Sequence, residues 1–213
     1  MELSLLASLD SSQREKLVSR CVHRRYRRRQ FIFHTGDPSD GMHLIVSGRV
    51  MIRVSTPLGE EACLTVSGPG DPVGEQSLLV DGGRRSASAI ALEPVETMFL
   101  SSRAFAALRA EDVALDGVMI QVLTSRVLRL TNQLIEALFV PATTRVLRRV
   151  ADAASLYGEG AIPLTQEEIA SMAGCTRPTV NRALRSAEEA GMVDLARRRI
   201  HVLDIEGLRH MTR

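Results

Sequence analysis

The stretch "LTQEEIASMAGCTRPTVNRALRSAEEAGMV", residues 164–193, carries the most specific pattern in this sequence. Thr165 and Glu168 stand at capping-box spacing, which predicts that a short helix begins there. A small residue, a turn residue and an apolar residue follow at helix-turn-helix spacing: Ala170, Gly174 and Val180. The small residue lets a second helix pack closely and the apolar residue joins the two helices, so the stretch predicts a helix-turn-helix.

A second helix followed by a β-hairpin is predicted next. Thr176 can cap that helix, and Pro178 is tolerated because the first helical turn needs no intrahelical N–H. Gly191 is expected to end the helix. The residues "VDLARRRIHVL", 193–203, then read as two strands with arginines at the tip, which indicates a wing.

The polar residues at the start of the second helix are expected to face the major groove of duplex DNA. Arg177 and Arg182 can each donate two hydrogen bonds to guanine O6 and N7. Arginines on an exposed helix are usually only solvated, but the cap, turn and wing around these favour DNA contact. The predicted DNA-binding residues, some of them for phosphates, are Thr165, Thr176, Arg177, Pro178, Thr179, Asn181, Arg182, Arg185 and Arg198.

Composition limits the class of protein. Aromatic residues make up 3% of the 213 residues and tryptophan is absent, so a base-stacking platform for single strands is not expected. The net charge is +2, and residues 141–213 carry 11 basic against 9 acidic side chains. No apolar run approaches the roughly 18–20 residues that span a bilayer, and the start lacks a secretion signal. Three scattered cysteines indicate reduced thiols, so we predict a cytoplasmic protein without membrane contact.

A different, β-rich domain is predicted over residues 24–101. Short alternating segments are separated there by Gly, Pro, Asp and Ser, which is typical of a β-sandwich or a small barrel. The basic run "RRYRRR", residues 24–29, could bind an anion. A solvated strand face is the favoured interpretation, because Tyr26 interrupts the run.

Within this domain, the stretch "GEQSLLVDGGRRSASAI", residues 74–90, places Glu75 and Arg85 ten residues apart. Strand alternation puts Arg85 on one face with three small residues, which leave room beside the charge: Ala87, Ala89 and Ala91. A charge that faces a space is costly unless something fills the space and pairs with it. An anionic ligand is one interpretation, and an ion pair between Arg85 and Glu75 without a ligand is the other.

A long helix is predicted over about residues 111–139. Apolar residues recur there at heptad spacing: Ile120, Leu123, Val127, Leu130, Leu134 and Ala137. A second apolar stripe lies beside this seam, which favours packing against both the β domain and a copy of the same helix. A wide face packed only within one chain is the alternative. Pro141 ends the helix, so the predicted divisions are 1–110, 111–140 and 141–213.

Both halves of the sequence resemble the cyclic-AMP receptor protein/FNR (CRP/FNR) family of transcription regulators. In that family, a "GE" followed ten residues after its Glu by "RSA" is the phosphate-binding cassette. This chain has Gly74-Glu75 and Arg85-Ser86-Ala87 at that spacing. The resemblance covers nearly the whole chain and implies an α+β fold: an N-terminal cyclic-nucleotide-binding β-roll (jelly roll), a long dimerisation helix and a C-terminal winged helix-turn-helix.

The resemblance also implies roles for single residues. Glu75 would accept a hydrogen bond from the ribose 2′-OH, Arg85 would pair with the cyclic phosphate, and Ser86 would donate to that phosphate. Arg126 matches a dimer-helix arginine that reaches towards the nucleotide and the glutamate. The implied ligand-binding set is Gly74, Glu75, Gln76, Ser77, Arg85, Ser86, Ala87, Arg126, Leu130 and Thr131.

Two positions depart from the family pattern. The receptor protein has two adjacent hydroxyl residues against the adenine, where this chain reads Leu130-Thr131, and Leu130 cannot hydrogen-bond a base. Cyclic AMP remains the first choice of ligand. Because of this departure, cyclic GMP, another ligand or none stay open. Pro178 stands where the receptor protein has a glutamate that accepts from cytosine N4, so specificity should relax at that base pair.

The implied function is a homodimeric, sequence-specific transcription regulator under allosteric control by the ligand. Its expected partners are a palindromic operator in double-stranded DNA, a second copy of the chain, and RNA polymerase. No enzyme is expected, because no catalytic set, metal-ligand spacing or phosphate-binding P-loop stands out. Two alternatives stay open: a DNA-binding regulator that needs no ligand and uses the β-roll only as a dimerisation scaffold, and a cyclic-nucleotide regulatory subunit of an enzyme.

Overall fold

Eight short strands in the N-terminal part of the chain form two four-stranded sheets. The computed structural model describes residues 9–55, 61–80, 82–157, 161–196 and 199–212. The strands are β1 (Val22–Tyr26), β2 (Phe31–Phe33), β3 (Gly41–Ser47), β4 (Val50–Ser55), β5 (Glu61–Ser67), β6 (Pro72–Val73), β7 (Ser88–Ala91) and β8 (Val95–Ser101). One sheet has the order β1-β8-β3-β6 and the other β2-β7-β4-β5. This arrangement is the predicted β-roll.

The core of the roll contains the small residues that the sequence placed beside Arg85. Ala87, Ala89 and Ala91 are buried in one cluster with five larger aliphatic residues: Ile45, Val50, Ile52, Val73 and Val95. The expectation that these alanines leave room for a ligand is therefore wrong. Alternation put them on the inner face, and small side chains there let the facing sheet pack closely.

Three helices accompany the roll: α1 (Ser11–Ser19), α2 (Ser102–Glu111) and α3 (Ala114–Phe139). The side chain of Ser101 caps α2 by accepting from the N–H of Ala104. The first turns of α3 bury Leu115, Val118 and Met119 in a second core cluster with residues of β3, β8 and α2. The predicted long helix is present, and it begins after a short break that follows α2.

The described residues group into two units, and the division falls inside α3 after Leu128. Residues 61–63 group with the second unit. The predicted divisions at 110 and 140 remain a proposal. Among the described residues, no helix combines the length and the apolarity that crossing a bilayer requires.

The second unit contains the end of α3 and a small helical domain with a three-stranded sheet of order β10-β11-β9. Its remaining elements are α4 (Ala142–Tyr157), β9 (Ala161–Ile162), α5 (Gln166–Ala173), α6 (Arg177–Glu189), β10 (Val193–Ala196), β11 (Arg199–Val202) and α7 (Ile205–His210). Helices α5 and α6 are the predicted helix-turn-helix. Strands β10 and β11 pair antiparallel, with Val193 opposite Val202, as the predicted wing requires.

Candidate functional site

Two segments of the first unit bring Glu75 and Arg85 to one site. Gly74 has a φ of 78°, which side chains rarely allow, and it leads into a short 3-10 helix, Glu75–Leu78. A Cβ at Gly74 would collide with Nη1 of Arg85, so the guanidinium lies directly against the Gly74 backbone. Only glycine fits this close approach, which explains the "GE" that precedes the arginine.

The guanidinium of Arg85 is buried and held by protein acceptors. Its Nη2 donates to Oδ1 of Asp40 at 2.8 Å and to the carbonyl of Gly41 at 2.6 Å. Its Nη1 donates to the carbonyl of Gly74 at 3.2 Å and lies 3.4 Å from Oγ of Ser77. Burial lowers the pKa of Arg85 from its usual value, and the charge and hydrogen bond of Asp40 oppose that shift.

An aromatic ring supports the same cation. The guanidinium carbon of Arg85 lies 4.2 Å above the centre of the Phe33 ring. A cation over the face of a ring is stabilised by the ring quadrupole. Neither Asp40 nor Phe33 was found from the sequence. The turn "DPSDG" before β3 gave a signal for an exposed acid, but nothing local connected it to a residue 45 positions away.

Glu75 is buried, and its Oε1 forms an ion pair with Nη1 of Arg126 on α3. The alternative in which Arg85 and Glu75 neutralise each other is therefore wrong: Arg85 pairs with Asp40, and Glu75 pairs with Arg126. Because α3 brings Arg126 to the 3-10 helix, the structure unites three of the predicted ligand residues, Glu75, Arg85 and Arg126.

Two buried polar atoms at this site have no hydrogen-bond partner among the described residues: Nε of Arg85 and Oε2 of Glu75. Each unmade bond costs about 1–3 kcal/mol. The first atom is a donor and the second is an acceptor. A cyclic nucleotide supplies the complementary groups, because its phosphate oxygens accept and its ribose hydroxyl donates. The residues present therefore fit such a ligand.

The other predicted residues of the cassette divide into exposed and structural ones. Ser86 is exposed and lies 3.1 Å from Oε1 of Gln76, which is also exposed, so both polar groups are accessible. Ser77 faces inward, and its hydroxyl is 2.6 Å from the carbonyls of both Gly41 and Gly74. The Ala87 side chain lies in the core, which leaves its backbone as the part that can serve a ligand.

Leu130 and Thr131 lie beyond Leu128 on α3, in the second unit, and both are exposed. Their predicted contact with a base stays a prediction. Elsewhere on the heptad seam, Ile120, Val127 and Leu134 are each at least 60% exposed, whereas Leu123 is half-buried. Apolar side chains in that number on one helix face indicate a surface that another molecule covers.

The helix-turn-helix follows from its local sequence. Thr165 accepts from the N–H of Glu168, whose carboxylate in turn accepts from the N–H of Thr165, so the predicted capping box begins α5. Gly174 takes a left-handed conformation with a φ of 58° and ends α5. Val180 is fully buried on α6 and joins the two helices.

The first turns of α6 present the predicted DNA-reading residues. The side chains of Arg177, Pro178, Arg182 and Arg185 are exposed, and those of Thr179 and Asn181 are half-buried. Nε of Arg185 donates to Oδ1 of Asn181 at 3.0 Å, one helical turn earlier. Thr176 occupies the N-cap position without a side-chain cap, so its predicted capping role is wrong. Its hydroxyl meets that of Thr179 at 3.2 Å instead.

A groove of about 500 Å³ lies between α5, α6 and the wing. Its lining includes Thr165, Arg177 and Arg199, and it also contains the exposed acid Glu167. Two basic side chains and a helix N-terminus around one groove suit a phosphate. Arg198, predicted to contact DNA, lies outside the described residues.

Comparison with known proteins accounts for both units. A family model described as the cyclic nucleotide-binding domain matches residues 23–112, and one described as the Crp-like helix-turn-helix domain matches residues 141–211. A "CRP-like cAMP-activated global transcriptional regulator" of Mycobacterium tuberculosis is 32% identical over 189 residues, covering 85% of this chain and 84% of that protein. The chain belongs to the CRP/FNR family of transcription regulators.

Two further proteins agree with membership of the CRP/FNR family. The "Cyclic AMP receptor protein" of Thermus thermophilus is 36% identical over 168 residues, covering 77% of this chain and 76% of that protein. A crystal structure of the Thermus thermophilus catabolite activator protein is 30% identical, covers 98% of this chain and 97% of its own, and has a TM-score of 0.55. Members of the CRP/FNR family are DNA-binding regulators and not enzymes, as the sequence predicted.

Proposed function

We propose that this protein is a homodimeric regulator that binds a palindromic operator and is controlled by a cyclic nucleotide, most simply cyclic AMP. The observation that carries the ligand proposal is the pair of unsatisfied buried atoms, Nε of Arg85 and Oε2 of Glu75. Cyclic AMP is the first choice because the similar regulators of Mycobacterium tuberculosis and Thermus thermophilus are named for it. Cyclic GMP stays the competing ligand, since Leu130 offers no hydrogen bond to distinguish the bases.

In this proposal, the chain's own residues hold the ligand as follows. Arg85 donates to the phosphate through Nε, and Ser86 adds its accessible hydroxyl. Glu75 accepts from the ribose hydroxyl through Oε2, while Oε1 keeps its ion pair with Arg126. The ligand thereby connects the cassette with an arginine of α3, the helix that carries the apolar seam.

The proposed dimer forms along α3. Two copies of the exposed seam cover each other as in a coiled coil, with Leu130 on the seam. The dimer then offers two α6 helices, which must lie about 34 Å apart to enter successive major grooves on one face of the DNA. The ligand controls this separation only through its different affinity for the two arrangements of the dimer. A cytoplasmic location and contact with RNA polymerase complete the proposal.

Calorimetry with purified protein and each cyclic nucleotide tests the proposal. We expect saturable binding, tighter for cyclic AMP than for cyclic GMP, and a loss of at least tenfold in affinity in Arg85→Lys, because an ammonium cannot reproduce the guanidinium fork. Arg84→Lys is the matched control, since Arg84 is exposed and, among the described residues, its side chain donates only to the carbonyl of Gly36 at 2.7 Å. Absence of heat and of any thermal shift at millimolar ligand would contradict ligand control.

A further inference from the structure

Arg145, near the start of α4, donates to three backbone carbonyls from two different parts of the second unit. Its Nη1 donates to the carbonyl of Val140 at 2.8 Å. Its Nε donates to the carbonyl of Ala173 at 2.9 Å, and its Nη2 to that of Gly174 at 3.1 Å. One planar side chain therefore connects the α3–α4 joint, residues 140–141, to the turn of the helix-turn-helix, residues 174–176.

The chemistry of the turn explains why a cation suits this place. The last carbonyls of a helix lack intrahelical donors and carry the negative end of the helix dipole. Ala173 is the last residue of α5, and Gly174 is its left-handed cap. Arg145 makes no ion pair within the described residues, so its charge serves these carbonyls and not a carboxylate.

The joint on the other side of Arg145 is itself fixed. Glu136, in the last turn of α3, pairs with both Arg148 and Arg149 of α4, the former at 2.9 Å. Arg148 also donates to the carbonyl of Thr212 at 2.7 Å. The end of α3 is thus connected to α4 by charge, and α4 is connected to the turn by Arg145.

We infer that Arg145 is a positioning residue for DNA reading: it holds the turn in front of α6 against the α3–α4 joint. The turn includes Thr176, and the first predicted DNA-reading arginine, Arg177, follows it. The orientation of α6 therefore depends on a residue that is not expected to touch DNA. The part of this inference that concerns DNA reading rests on the proposed function.

The test compares Arg145→Met and Arg145→Lys with wild type, and uses Arg209→Met as the matched control. Arg209 is an arginine of the same unit that donates to Ser155 and Glu206, away from the joint and the turn. The first measurement is the ratio of affinities for operator and scrambled duplex. We expect Arg145→Met to lower this ratio about tenfold, Arg145→Lys to be intermediate because it loses the planar fork, and the control to match wild type.

The second measurement is amide hydrogen exchange of the turn and its flanking residues, 173–179, in the free protein. Exchange there should be at least fivefold faster in Arg145→Met than in wild type or the control, while the melting temperatures of all variants stay within a few degrees. Faster amide exchange in the turn together with an unchanged affinity ratio would overturn the positioning role.

The two measurements separate the inference from the proposed function. If wild type shows no preference for any operator, the proposed function fails, and exchange of the turn alone then decides the structural claim. Unchanged exchange in Arg145→Met overturns that claim. If Arg145→Met does not fold, Arg145→Lys replaces it in both measurements. An affinity ratio and an exchange rate equal to those of wild type in Arg145→Lys would then overturn the inference.

Discussion

At the scale of single residues, the proposed ligand site depends on the acceptors that hold the guanidinium of Arg85. The Arg85 side chain is 3% exposed, whereas its partner Asp40 is 61% exposed. The pair is therefore asymmetric. The guanidinium is fixed in the protein interior, whereas the carboxylate of Asp40 can rotate towards solvent at little cost. Nη2, which Asp40 uses, shares one edge of the guanidinium with the unpaired Nε, and this edge suits a two-oxygen anion.

This asymmetry predicts that Asp40→Asn binds cyclic AMP more tightly. The neutral amide competes less for Nη2 and no longer offsets the positive charge, so we expect a gain of about three- to tenfold, from the roughly 1 kcal/mol of a partly exposed pair. Titration calorimetry measures it, with Arg84→Lys as the control. Weaker binding in Asp40→Asn would mean that Asp40 orients Arg85 and does not compete with the ligand.

His43 on β3 is the second residue whose environment has a measurable consequence. It is buried, with Nδ1 3.1 Å from the hydroxyl of Thr97 and its ring 4.9 Å from that of Phe99. Burial, with smaller contributions from the charges of Arg24 and Arg85, lowers its pKa to about 3. The folded protein therefore keeps this imidazole neutral throughout the physiological range.

The lowered pKa of His43 predicts an acid-sensitive fold. Below about pH 6.5 the imidazole of His43 is protonated in the unfolded chain, whereas in the folded chain it stays neutral down to about pH 3. The free energy of unfolding therefore decreases as the pH falls through this window, and above the window the contribution of His43 is fully present. Between pH 7 and pH 5 this residue should remove about 2 kcal/mol from the free energy of unfolding. Urea titrations at pH 7 and pH 5 should show this loss in wild type but not in His43→Gln. An equal change of the free energy of unfolding with pH in both proteins would contradict it.

At the scale of elements, α3 has two segments in different environments. Its first turns bury Leu115, Val118 and Met119 against the roll, and its later turns expose the seam. The exposed side chains of Ile120, Val127, Leu130 and Leu134 follow the heptad period, which supports the proposed dimer surface.

The seam predicts that Val127→Asp is a monomer. A carboxylate from each copy would be buried in an apolar contact and face its equivalent, which should raise the dimer dissociation constant at least 100-fold. Light scattering over a concentration series measures this. Ser125→Lys, at an exposed position of the same helix outside the seam, is the control and should remain dimeric. A dimeric Val127→Asp would place the interface on another surface.

At the scale of the whole molecule, the proposed function depends on two copies of α6 acting together. A symmetric dimer reads two half-sites whose spacing matches the separation of its recognition helices, about one helical turn of DNA. The net charge of +2 gives no strong overall attraction to DNA, so the phosphate contacts should come from local basic side chains such as Arg185 and Arg199.

This symmetry predicts a strict dependence on operator spacing. Inserting about 5 base pairs, half a helical turn, between the half-sites should reduce affinity to that of a duplex with a single half-site, because the second α6 would face the wrong side of the DNA. Gel-shift titrations in the presence of cyclic AMP measure this, at one fixed salt concentration. Equal affinity for the original and the lengthened operator would indicate that each copy binds alone.

The sequence by itself determined most of the features that depend on local spacing, although the side-chain cap predicted at Thr176 is absent. The capping box of Thr165 and Glu168, the turn at Gly174, the seam of α3 and the ten-residue separation of Glu75 and Arg85 all lie within a few helical turns or one loop. Such patterns report backbone conformation and amphipathic faces, which short-range sterics and hydrogen bonds fix.

Only the tertiary structure decided which charges meet. Arg85 pairs with a residue 45 positions away, and Arg145 reaches a carbonyl 28 positions away. The pair of Glu75 with Arg126, 51 positions apart, was implied by the family resemblance and not by any spacing along the chain. From the sequence, an ion pair between Arg85 and Glu75 was one of two interpretations, and Ala87, Ala89 and Ala91 were given a space that the facing sheet fills. The physical reason is that an ion pair or a packed core depends on where separate elements approach, and spacing along one segment carries no information about that approach.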